Sequence, residues 1–96
     1  MSRYRKKAVE VDAKQFTGGN HRAIREWQEE LGATPGFRAV QMSDPRVQQG
    51  VYAEIYDYLH DTWVGVKPHQ FIIRGVSGEF YPVDEKVFAD TYEKVI

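Results

Sequence analysis

The side chains that do most acid–base and metal chemistry are sparse in this 96-residue chain, which has three histidines, His21, His60 and His69, and no cysteine. The histidines lack metal-ligand spacing, and each is expected in a turn or at the surface, with His60-Asp61 read as turn chemistry rather than a catalytic pair. Without cysteine, disulfides, thiolate catalysis and Cys-ligated zinc are excluded. Glu54, Asp57 and Asp61 are near enough in sequence to suggest acid–base work or a divalent cation. Glu54 and Asp57, however, are an odd number of residues apart and fall on opposite faces of a strand. No phosphate loop, nucleophile elbow or paired-His helix is present, so no catalytic or metal-ligating residue is assigned, no cofactor is expected, and the chain is read as a non-enzyme. Gly18-Gly19 leads into a helix start bearing His21, Arg22 and Arg25. Free N–H groups and the helix dipole favour an anion at such a place, although a plain turn into a capped helix is the simpler reading.

Aromatic residues are more informative. Six tyrosines exceed what so small a core needs, because each hydroxyl requires a partner or solvent. Tyr52, Tyr56 and Tyr58 fall on one face of a predicted strand, and Trp63 follows on the next. Such a surface could stack on a base or anchor a protein partner, while a second core face or a dimer interface would account for the same pattern. The candidate ligand- or partner-binding set is therefore Tyr52, Tyr56, Trp63, Arg22, Arg25 and Arg74.

Periodicity predicts the elements that position these residues. Residues 8–14 alternate with period two, placing Val9, Val11 and Ala13 on one face of a half-buried strand that continues to Phe16. Thr17-Gly18-Gly19-Asn20 breaks it, and Asn20 is placed to cap a helix over 21–31 with Ile24, Trp27 and Leu31 on its apolar side. Arg25 and Glu29 make an exposed pair four apart, and Gly32 ends the helix. A strand over 37–42 and a mobile loop over 43–50 follow. Residues 51–59 and 62–66 predict an antiparallel hairpin, with Val51, Ala53, Ile55 and Asp57 on the face opposite the tyrosines. Turns at 67–70 and 77–78 separate two more strands, 71–74 and 79–81, and these four strands read as a meander. Arg74 and Glu79 flank one of its turns and could pair across it. Pro82 is expected to close the sheet. Asp84 then caps a last helix lined by Phe88, Tyr92 and Val95. The fold class is α+β: a mostly antiparallel sheet of five or six strands, covered on one face by two short helices, in a single domain over 1–96.

Lysine and arginine total 13 against 14 aspartate and glutamate, so net charge alone cannot hold a polyanion. The charge is unevenly spread, with residues 1–40 at +3 and residues 41–96 at −4. Arg3, Arg5, Lys6 and Lys7 form a basic N-terminal arm, expected to be solvated or to lie along the acidic half of the same or a neighbouring subunit. With 42% hydrophobic residues the core is modest at this length, and a homo-oligomer is expected. No apolar run is long enough for a membrane span and no secretory signal opens the chain.

Several stretches carry a resemblance: Tyr58-Leu59-His60-Asp61-Thr62-Trp63-Val64, residues 71–82 (Phe-Ile-Ile-Arg-Gly-Val-Ser-Gly-Glu-Phe-Tyr-Pro), Phe88, Thr91-Tyr92-Glu93, and residues 4–11 through Gln15-Phe16-Thr17-Gly18. Covering well over half the chain, they resemble a family of short tailed-phage proteins typified by a Pro-Gly-Asp-Tyr-Gly-like segment. Here that segment reads Pro68-His69-Gln70-Phe71. The resemblance implies a phage origin and an accessory role, with no catalytic motif to transfer. The expected function is to bind and disable a host factor in the host cytoplasm, in counter-defence or host takeover. Two mechanisms compete. An anionic nucleotide signal enclosed by the Arg/Tyr set requires a concave, positive pocket, whereas an inhibitor docked on a host protein requires a rather flat aromatic patch. A structural or DNA-associated role for the basic arm is a further alternative, although neither a nucleic-acid nor a membrane partner is expected.

Overall fold

A computed structural model describes residues 1–5 and 7–95. The chain is α+β and runs β1 (Asp12–Gln15), α1 (His21–Glu30), β2 (Phe37–Ala39), a 3-10 turn (Pro45–Gln49), β3 (Ala53–Asp57), β4 (Thr62–Val66), β5 (Phe71–Arg74), β6 (Phe80–Val83) and α2 (Glu85–Thr91). The strands form two three-stranded antiparallel sheets, β1-β5-β6 and β2-β3-β4, rather than one sheet of five or six. The meander divides at the corner 67–70. There His69 takes a positive φ of 75°, its N–H donates to the Phe16 carbonyl, and the Lys67 N–H donates to Gln70 Oε1. These bonds turn β5 away from β4 and onto β1.

Both sheets and α1 share one core. Phe16, Ile72 and Phe80 come from the first sheet and its flank, Phe37, Ala53, Ile55 and Val66 from the second, and Ile24 from α1. Phe16 meets Phe37 edge-on at 5.3 Å, and Trp27 meets Phe80 at 5.6 Å, the offset geometry that aromatic quadrupoles favour. The helical spacing of Ile24, Trp27 and Leu31 is thus realised, and Gly32 adopts the left-handed conformation that ends α1.

The two helices do not lie on one face. Successive strand residues point to opposite sides, so Ile72 enters the core while Phe71 points away and stacks on Phe88 of α2 at 3.9 Å, nearly parallel. Thus α2 covers the outer face of β1-β5-β6. It ends at Thr91, leaving Val95 exposed beyond it rather than on its apolar side.

Other boundaries differ for identifiable reasons. The predicted strand over 8–16 starts only at Asp12, because its partner β5 stops at Arg74 and the chain turns at Gly75, whose N–H donates to the Glu79 carbonyl. Val9 is therefore 51% exposed. Arg3, Arg5 and Lys7 of the basic arm are exposed, and Lys6 lies outside the described residues. The predicted loop over 43–50 holds the 3-10 turn, capped by Asp44, which accepts from the Arg46 N–H, and closed by Gly50 at φ 87°. Pro82 lies within β6 instead of ending it. It faces Ile72 at a site without ladder hydrogen bonds, on an edge strand, so its missing N–H costs nothing there.

Candidate functional site

The outward face of β2-β3-β4 carries the densest constellation of polar and aromatic side chains. Ala53, Ile55 and Asp57 of β3 point inward and Glu54 and Tyr56 outward, as the alternation requires. Tyr56 lies opposite Trp63 of β4, the rings 5.3 Å apart and edge-on, and Tyr58 closes on Tyr56 at 4.5 Å. Gly36 makes room for this cluster, because a Cβ there would come 2.9 Å from the Tyr56 Cβ.

Arg38 of β2 faces Glu54 in register. Its guanidinium lies 3.7 Å from the Trp63 ring centroid, a cation–π contact, and its Nε donates to Glu54 Oε1 at 2.6 Å. The other Glu54 oxygen accepts from Arg46 Nη2 at 3.0 Å, and Arg46 also grips Asp44. Glu54 is 7% exposed, so a buried carboxylate sits between two guanidinium groups that neutralise it. The Arg46 contacts hold the Asp44 carboxyl below its ordinary range. A concavity of about 650 Å³ opens beside this network, lined by Arg38, Asp44, Arg46 and Glu54 among others.

Of the six candidate residues, the fold brings Tyr56 and Trp63 together. Tyr52 shares their face but lies beyond Glu54, 44% exposed. Arg22 sits on α1 in an exposed ion pair with Glu26, and Arg25 donates to the Phe37 carbonyl, so the expected Arg25–Glu29 pair is replaced by Arg22–Glu26. Arg74 belongs to the other sheet. It donates to the Leu31 carbonyl, and no ion pair joins it to Glu79, which instead accepts from the Ser77 N–H. It lines a second concavity of about 380 Å³ with Tyr58, Leu59 and Glu79. Within one chain, the Arg/Tyr set does not converge on a single pocket.

At the start of α1, Asn20 serves the turn that precedes the helix rather than the helix itself. Asn20 sits at the cap position but makes no side-chain bond to the helix. Its Oδ1 accepts from the Thr17 N–H and its Nδ2 donates to the Gln15 carbonyl, closing the Gly18-Gly19 turn on itself. His21 is not a surface histidine: its ring packs edge-on against Phe16 at 5.0 Å. Asp57 and Glu54 do lie on opposite faces. Asp57 accepts from the Leu59 and His60 N–H groups and meets His60 Nδ1 at 2.7 Å, fastening the 58–61 turn. Among the described residues no group of histidine and carboxylate side chains could hold a metal ion, and no helix is long and apolar enough to cross a membrane.

Sequence reasoning missed the Arg38–Glu54–Arg46 network. Its signal was present, since Ser43-Asp44-Pro45 is a helix-start signature and Arg38 and Glu54 become partners once the adjacent strands pair. No family model, curated protein or solved structure matches the chain.

Proposed function

We propose that this chain is a non-enzymatic phage accessory protein that docks on a host protein through the outward face of β2-β3-β4 and disables it. The observation that carries the reading is the Arg38–Trp63–Tyr56–Tyr58 cluster, in which Arg38 and Tyr58 are exposed and Tyr56 and Trp63 half-buried. Tyrosine, tryptophan and arginine are the side chains that dominate protein interfaces. Glu54 engages both Arg38 and Arg46, so the face offers a partner aromatic area beside paired charges rather than free cations for a polyphosphate. The phage origin and host setting rest on the family resemblance of residues 58–64 and 71–82.

Sequestration of a nucleotide signal is the second reading, supported by Arg74 and Tyr58 sharing the smaller concavity. One comparison separates the two. The tagged protein is passed over host lysate beside Trp63→Ala and Tyr58→Ala variants, and its melting is screened against a nucleotide panel. Docking predicts a stoichiometric partner that both folded variants lose, with anchor truncations costing about 2 kcal/mol or more of binding. A shift of several degrees with one nucleotide, equivalent to roughly 2.7 kcal/mol at a hundred times its Kd, would instead make sequestration the function.

A further inference from the structure

The segment preceding β1 has strand patterning and, among the described residues, no strand paired with it. Residues 8–11 continue the period-two alternation of β1, yet β5 turns away at Gly75, and among the described residues β1 is an edge strand with no neighbour on its other side. Phe16 donates its N–H to the Gln70 carbonyl. In an antiparallel ladder this assigns Lys14 and Asp12 to the bonds with β5 and aims the backbone groups of Val11, Ala13 and Gln15 at the open side. The Gln15 carbonyl is taken by Asn20, whereas no strand pairs with Val11 and Ala13 there. Such an edge is a template for another strand.

We propose that this edge pairs with the same edge of a second copy of the chain, residues 9–15 of the two copies running antiparallel. The two-fold axis stands perpendicular to the sheet and makes one six-stranded sheet, β6-β5-β1-β1-β5-β6. Arm and edge lie on the same strand, so each copy supplies both halves of a self-complementary contact.

Charge and side-chain parity fit this arrangement. Antiparallel pairing carries Arg3, Arg5 and Lys7 of one copy past the far end of the partner's β1. That end is where Gln15 donates to Glu85 Oε2 at 2.8 Å and Gln70 donates to Asp84 Oδ1 at 2.8 Å, so two carboxylates stand beside it. Opposed residues in a sheet share a face. Odd-numbered residues of β1 are on the α2 face, since Gln15 opposes Phe71, which stacks on Phe88. Arg3, Arg5 and Lys7 are odd-numbered and so arrive on the same face as Glu85. Val9 and Val11 arrive beside the apolar layer of Phe71 and Ile73.

Sedimentation of the full-length chain over about a hundredfold concentration range tests the proposal. The wild type is expected to reach twice its chain mass. Val11 lies outside β1 and makes no ladder bond to β5, so Val11→Pro should keep the circular dichroism of the fold while weakening the dimer at least about tenfold. Val9→Pro, further from the sheet, should act likewise, and Glu85→Lys should weaken the dimer by placing like charges together. A wild-type chain that stays monomeric throughout, a dimer that both proline variants leave as tight as before, or a Glu85→Lys dimer no weaker than wild type overturns it.

Discussion

Asp57 shows how one carboxylate can fix a turn and make it pH-sensitive. His60, bonded to its side chain, does most to hold its carboxyl below the usual range, the His60 and Leu59 N–H groups assist, and partial burial opposes them. A carboxyl with a lowered folded pKa stabilises fully above its unfolded value of about 4, and that contribution is lost as pH falls through the folded value. Urea midpoints measured from neutral pH to about pH 2 should therefore drop more steeply for the wild type than for Asp57→Asn. Gly75 makes a different residue-scale demand, because a Cβ there would collide with the Glu79 carboxylate folded over it. Gly75→Ala is expected to lower the melting temperature, and Gly75→Ala with Glu79→Ala to recover much of the loss. In the shared core, Phe80→Ala should cost about 3–5 kcal/mol by equilibrium denaturation, the usual range for a buried phenylalanine.

Elements here are short, and packing rather than propensity sustains them. The seven residues of α2 are too few for a stable helix in isolation, so its attachment depends on Phe88 stacked between Phe71 and Tyr92. Phe88→Ala should remove that attachment. Hydrogen exchange is expected to speed up over α2 while β3 and β4, which belong to the other sheet, keep their protection. Burial of Tyr81 beside Tyr92 pushes the Tyr81 phenol upward, consistent with α2 lying on the outer face of β6. The 3-10 turn is held in a comparable way, by Arg46 bridging Asp44 at its start to Glu54 on β3. Its polar sequence read as a loop, although Asp44 and Gly50 bound the turn locally, because the Glu54 carboxylate that anchors Arg46 lies on another element.

At the scale of the molecule, the two sheets offer two separate surfaces. The β2-β3-β4 face presents aromatic area with its charges already paired, and the β1 edge presents an unpaired strand with a basic extension. If the edge joins two copies, melting temperature should rise with protein concentration in the wild type and not in Val11→Pro, because association adds to the stability of whichever state it selects. The aromatic faces would remain outside that contact, so Trp63→Ala should leave the concentration dependence unchanged while abolishing partner capture.

Local patterning determined much of this protein on its own. The alternation of residues 51–66 placed Tyr52, Glu54, Tyr56 and Tyr58 on one side of a hairpin and Ile55 and Asp57 on the other, and helical spacing placed Ile24, Trp27 and Leu31 against the core. Both follow from the periods of strand and helix, which are set within a few residues. Only the tertiary structure decided which strands pair. The corner at His69 and the bond from Gly75 to Glu79 send β5 to β1, split one expected sheet into two and put α2 on the opposite face from α1. They also set Arg38 over Trp63 and Arg46 against Glu54 while leaving Arg22, Arg25 and Arg74 apart. Pairing of distant strands depends on where turns end and which edges remain open, quantities that no window of neighbouring residues contains.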